Sequence, residues 1–311
     1  MLPPGESCST EEGRVLRARG DLRPEVTGNY RAHWGEAPVW WQEWLYYVDI
    51  EGHRVLAYDP QAGEEKKWEI GERVGTVVPR QGGGLLIAGD SGFSLLDLAS
   101  RAITPLGDPE KDRPDNRFND GKCSPDGRFF AGTISLQKRA REAALYRMDT
   151  DRRISRVLGG VTNSNGLAWT ADGSTLFYID TPRLAVQAFD YESGTGTLHN
   201  GRTAFSTEGR VPGVPDGMAI DSENRLWIAF CHGSCVSCFD QGGAELHRIV
   251  FPCREVTAPA FGGAELGDLY ITTGQPAENK EEEAGRLFVV HGLGAQGVPT
   301  HAFTDQIGQS W

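Results

Sequence analysis

Asn165-Gly-Leu-Ala-Trp-Thr-Ala-Asp-Gly-Ser-Thr-Leu-Phe-Tyr-Ile-Asp180 decides the fold. It holds a polar-Gly pair, a short apolar strand, an Asp-Gly turn, and a second apolar strand that stops at an aspartate. The same order of parts recurs along the chain. Asp120-Gly-Lys-Cys-Ser-Pro-Asp-Gly-Arg-Phe-Phe-Ala-Gly-Thr133 and Asp216-Gly-Met-Ala-Ile-Asp-Ser-Glu-Asn-Arg-Leu-Trp-Ile-Ala229 are the clearest copies. Others begin near Ala37, Val77 and Ala258, and each is followed by a further short strand such as Val186-Gln-Ala-Phe-Asp190. Six units at spacings of roughly 40 to 50 residues, each with several strand-length apolar pieces, are the signature of β-propeller blades. A parallel β-helix needs a much shorter repeat, and an α-solenoid needs long stretches of helical period. The expected fold is therefore all-β, a six-bladed propeller of four-stranded blades around a central channel.

Composition agrees. Glycine occurs 40 times in 311 residues, well above average usage, with 17 prolines beside it, which favours many tight turns over a helical bundle. The polar stretch 1–25 reads as a flexible N-terminal extension, and 26–311 as one propeller domain. Thr27-Gly-Asn-Tyr-Arg-Ala-His33 is expected to close the ring by adding a strand to the last blade, beside Val298-Pro-Thr-His-Ala-Phe303. The net charge of −12 disfavours binding to phosphate backbones and anionic membranes. No apolar run approaches the roughly 18 residues of a membrane span, and the N-terminus lacks the parts of a signal peptide. A cytoplasmic monomer without nucleic-acid or membrane partners is the expectation.

Where would polar side chains meet? In a propeller the first strand of each blade lines the channel, so equivalent positions converge on the axis. Those positions hold Glu36 in unit one, Arg117, Asn119 and Asp120 in unit three, Asn163 and Asn165 in unit four, and Asp216 in unit five. Each Asn-Gly or Asp-Gly taken alone is an ordinary turn signal. However, Asp126-Gly127 and Asp172-Gly173 already serve the turns about seven residues later, which leaves the first polar-Gly pair of each unit to be explained. Several oxygen-bearing side chains reaching one axial point suit a hard divalent ion.

At these residues a resemblance becomes specific. Gly35-Glu-Ala-Pro-Val-Trp40, Arg117-Phe-Asn-Asp-Gly-Lys122, Ser164-Asn-Gly-Leu167, Phe177-Tyr-Ile-Asp180 and Val214-Pro-Asp-Gly-Met218 resemble the family of regucalcin (senescence marker protein), gluconolactonases and the luciferin-regenerating enzyme. The likeness runs over about residues 30 to 303. It implies a six-bladed propeller with one divalent cation on its axis, Ca²⁺ or Zn²⁺ first, Mg²⁺ or Mn²⁺ next. By the same resemblance the metal ligands fall on Glu36, Asn165 and Asp216, and the substrate-binding pair on Arg117 and Asn119. Where the family carries acidic residues in a loop over the substrate, this chain has Ser135-Leu-Gln-Lys-Arg139. The activity implied is opening of a small-molecule sugar lactone by metal-activated water, with Asp216 as the base. The alternatives are another ester or an organophosphate at the same site, or a non-catalytic calcium-binding propeller. No Gly-x-Ser-x-Gly elbow is present, which disfavours a serine hydrolase.

Cys231, Cys235 and Cys238 cluster around His232 and raise the question of zinc. Cys235 and Cys238 sit three apart on one expected strand, so they point to opposite faces and cannot readily share an ion. Buried thiols are the expectation, and a Cys231–Cys235 disulfide would need an oxidising compartment.

Overall fold

The computed structural model describes residues 22–278 and 281–305. These form six antiparallel sheets of four strands each, and the one helical element among the described residues is the single turn Thr181–Arg183. The expected extension 1–25 lies, through residue 21, outside the described residues, and the first strand begins at Glu25. Among the described residues no helix is long and apolar enough to cross a membrane.

The inner strands of blades one to six are Gly35–Trp41, Val74–Pro79, Asn116–Cys123, Ser164–Trp169, Val214–Ile220 and Val256–Gly262. Each touches the inner strands of both neighbouring blades, which closes a ring around the axis. Covered on both faces, they are buried almost throughout, including the polar side chains that Asn116–Cys123 carries among its apolar ones. The outermost strands, such as Glu64–Glu69, alternate exposed charge with an occasional buried anchor like Trp68. That gradient is why the apolar repeat was visible only in the inner two or three strands of each unit.

Aromatic pairs lock blade against blade. Phe93 meets Phe118 between blades two and three, Phe130 meets Trp169 between three and four, and Trp227 meets Phe261 between five and six. Trp40 stacks on Tyr270 across the junction of blades one and six. Burial of a side chain of this size contributes about 1.5–3 kcal/mol, before any preference for edge-to-face geometry.

Ring closure corrects one expectation. The strand Glu25–Arg31 does complete blade six, but its partner is Arg286–Val290, with Val26 opposite Phe288. Val298–Phe303 is elsewhere. Interrupted by Pro299, it crosses the bottom of the channel, where Gly297 bridges to Asp221 and Phe303 to Arg80. Asp305 then anchors the segment by ion pairs to Arg80 at 3.0 Å and Arg152 at 2.7 Å. Between this tail and the inner strands lies a cavity walled by Trp40, Lys122, Trp169, Phe261, Pro299 and His301. Glu36, Asn165 and Asp216 do not line it. They belong to the other end of the channel.

Candidate metal centre

All six inner strands carry a register irregularity near their N-terminal ends: between Glu36 and Val39, Val74 and Thr76, Phe118 and Gly121, Asn165 and Leu167, Pro215 and Met218, and Val256 and Ala258. A bulge turns a side chain out of the pleat and ends regular pairing. Repeated around the ring, it supplies one position per blade that faces the axis. The glycines of the first polar-Gly pairs are needed here rather than in hairpin turns. A Cβ on Gly166 would come within 2.8 Å of the Asp216 carbonyl, and one on Gly217 within 2.4 Å of the Ala258 Cβ. The second pairs do serve turns: Asp172 accepts the Ser174 N–H at 3.0 Å and the Thr170 hydroxyl at 2.6 Å.

The aspartate that ends the second strand of the repeat clasps the entry of the inner strand. Asp49 accepts the N–H groups of His33 at 3.0 Å and Trp34 at 2.9 Å, and Asp180 accepts those of Thr162 at 3.1 Å and Asn163 at 2.9 Å. Glu36 and Asn165 follow directly on these clasps.

A directional hydrogen-bond chain links blades three, four and five. Arg117 Nη1 donates to Asn119 Oδ1 at 2.8 Å, and Asn119 Nδ2 donates to Asn165 Oδ1 at 3.0 Å and to the Ser164 carbonyl at 2.8 Å. Asn165 Nδ2 donates to Thr181 Oγ1 at 2.7 Å, which donates to the Pro215 carbonyl at 2.9 Å. The residue after that proline is Asp216.

Three carboxylates, Glu36, Asp120 and Asp216, are all buried at this end. Burial first, then the charges of Asp216 and Asp120, holds Glu36 well above the usual carboxylate range. Burial and the Asp120 charge raise Asp216 likewise, while a hydrogen bond from Cys231 works against them. Burial also raises Asp120, offset in part by Lys122, whose Nζ donates to the Met218 carbonyl at 2.8 Å. Among the described residues neither Glu36 nor Asp216 has an ion-pair partner. Two buried carboxylates without a paired cation, beside an amide oxygen whose orientation is fixed, are an all-oxygen donor set that fits a hard divalent ion. Arg117 is half-buried, and its Nε has no hydrogen-bond partner among the described residues.

A model of the SMP-30/Gluconolactonase/LRE-like region matches residues 34–275. The chain belongs to that family. It is 41% identical over 280 residues to regucalcin of Danio rerio, covering 87% of this chain and 94% of that protein. Among solved structures of the family's fold, a luciferin-regenerating enzyme aligns with a TM-score of 0.85 and 26% identity over 91% of this chain and 99% of its own. A calcium-binding regucalcin from Agrobacterium tumefaciens aligns with a TM-score of 0.86 at 21% identity, over 91% and 97% of the two chains.

Two residues of this region lay outside the expected site set. Asp120 was counted among the converging oxygens but given no role, although its charge bears on both Glu36 and Asp216. Glu255 was not singled out at all. It stands just before the inner strand of blade six, ahead of the repeat unit that the sequence pattern shows from Ala258. Cys235 and Cys238 do face opposite cores, and among the described residues the five cysteines are unbridged. Cys231, however, meets a partner from the next blade, the Glu255 carboxylate.

Proposed function

We propose that the chain is a divalent-metal-dependent lactonase acting on sugar lactones. The observation that supports this most is the axial donor set, Glu36, Asn165 and Asp216 from three blades, with two of the three buried as carboxylates without a cationic partner. Membership of a family that includes gluconolactonases supports the choice of substrate class. Ca²⁺ is the first candidate for the ion, since the ligands are all oxygens.

An ion held by these three residues supplies Lewis-acid polarisation of the lactone carbonyl and acidification of water. The chain's own groups do the rest. Asp216, at the edge of the ion, accepts the proton of the attacking water. The water oxygen bonds to the carbonyl carbon, the ring C–O bond breaks, and that proton returns to the departing ring oxygen, leaving a hydroxy acid. Arg117, with its unpartnered Nε–H, stabilises the negative charge that develops on the carbonyl oxygen. Asn119 holds Arg117 and Asn165 in register with each other.

The test is a panel of five- and six-membered aldonolactones followed by acid release, with chelated protein, with each metal added back, and with spontaneous hydrolysis subtracted. A metal-dependent excess is expected. Stoichiometric metal binding without turnover on any lactone would overturn the reading and leave a calcium-binding propeller in its place.

A further inference from the structure

We propose that Cys231, His232 and Glu255 form a second divalent-metal site, suited to zinc, at the junction of blades five and six beside the axial centre. The proposal does not depend on the lactonase reading. Cys231 ends the strand Leu226–Cys231, His232 opens the turn that follows, and Glu255 immediately precedes the inner strand of blade six. One donor atom from each lies within 4.8 Å of the other two. His232 Nδ1 is 2.7 Å from Glu255 Oε2, and the same oxygen accepts the Cys231 thiol at 3.2 Å and the His232 backbone N–H at 3.1 Å.

Four features favour a metal over a purely hydrogen-bonded trio. Glu255 is 3% exposed, and its ion-pair partner among the described residues is a histidine, not an arginine or lysine. Thiolate, imidazole and carboxylate together are the donor types of open zinc sites, which keep a fourth position for water or substrate. Bond lengths near 2.0–2.3 Å set tetrahedral ligand atoms roughly 3.3–3.7 Å apart, so shifts of under about 1 Å convert these contacts into a chelate. The His232 ring is about half exposed, at 49%, which gives an ion a way in from solvent. On binding, the Cys231 proton leaves to solvent as the sulfur–metal bond forms. His232 binds through Nδ1 and keeps its proton on Nε2. The softer donor set separates this site from the all-oxygen axial one, although the Asp216 charge bears on the Cys231 thiol, so the two share a wall.

Co²⁺ is the probe, titrated into full-length, chelator-stripped protein and read by absorption. Thiolate ligation gives near-ultraviolet charge transfer together with the intense visible bands of tetrahedral Co²⁺. The wild type is expected to show them with a second equivalent of Co²⁺ bound beyond the axial one. Cys231→Ser should abolish the bands. His232→Asn should weaken this affinity by about 10–100-fold, at least the effect of losing a ligand's supporting partner. Asparagine is chosen because His232 has φ 62°, a left-handed conformation it tolerates. If Cys231→Ser fails to fold, the half-exposed His232→Asn decides. Glu36→Gln, which disables only the axial site, should leave the bands intact. Absence of thiolate bands once two or more equivalents of Co²⁺ have been added would overturn the proposal. So would their loss in Glu36→Gln with a single equivalent bound, because Cys231 would then be a ligand of the axial ion. Failure of lactone turnover leaves the spectrum unchanged, so the two readings fail separately.

Discussion

Thr181 Oγ1 accepts the side-chain N–H of Asn165 at 2.7 Å and donates its own hydrogen to the Pro215 carbonyl at 2.9 Å. With its nitrogen thus engaged, Asn165 turns its amide oxygen toward Asn119. Thr181→Val keeps the shape and removes both hydrogen bonds. It is expected to weaken divalent-metal affinity by about 10–100-fold, as loss of a ligand's orienting partner does. Calorimetric titration of the stripped protein with Ca²⁺ checks this. Unchanged affinity would mean that the backbone alone orients Asn165.

The axial carboxylates make the metal-free protein sensitive to pH. Glu36, Asp120 and Asp216 all have folded-state pKa values raised above those of the unfolded chain. Charging them therefore opposes folding. The penalty is absent below about pH 4, where both states are protonated, and grows as pH rises through the raised folded values. The Tm of chelated protein should fall between mildly acidic and mildly basic pH, and saturating Ca²⁺ should reverse the fall. Asp216→Asn should lessen the fall and the metal's stabilising effect together. Thermal melts of the two proteins, with and without chelator, measure both.

At the other end of the channel the sign is opposite. Against the effect of burial, hydrogen bonds from Arg80 and Arg152, reinforced by their charges, hold Asp305 below the usual carboxylate range. Its contribution to stability is present above about pH 4 and is lost as pH falls through the lowered folded value. Asp305→Asn removes the charge that both arginines answer. It should lower stability by about 1–3 kcal/mol in chemical denaturation while leaving metal affinity unchanged, since the axial donors lie across the channel.

Much of this was readable in the chain because the physics of a blade is local. Apolar inner strands, an Asp-Gly hairpin and a clasping aspartate recur within each unit, so Asn165–Asp180 alone carries most of the information. Glu36, Asn165 and Asp216 could be aligned because each sits at the same bulge of its own blade. What escaped was non-local. The partner of Glu25–Arg31 is chosen by ring closure nearly 260 residues away, and Pro299 in the tail removes a ladder donor that a regular strand beside it would need. Glu255 meets Cys231 only because two blades pack, and no spacing within one unit announces a contact between units.

By the family resemblance Arg117 and Asn119 are expected to be the substrate-binding pair, neither of them a metal ligand. The hydrogen-bond chain separates them. Arg117 touches Asn119 and the Phe118 carbonyl but no assigned ligand, so Arg117→Ala should retain the ion. If its guanidinium meets charge that develops only in the transition state, the loss should be about 10²–10³ in kcat, with little change in metal affinity. Asn119 instead donates directly to Asn165 Oδ1 at 3.0 Å, so Asn119→Ala frees the proposed metal ligand as well as removing a proposed substrate contact. It should lower both metal affinity and kcat, and excess metal should restore occupancy but only part of the rate. Occupancy must be measured beside rate, because a lost ion and a lost contact otherwise look alike. Should Arg117→Ala shed the ion while Asn119→Ala keeps it, the order of that chain would be wrong, and Arg117 rather than Asn119 would be what holds Asn165.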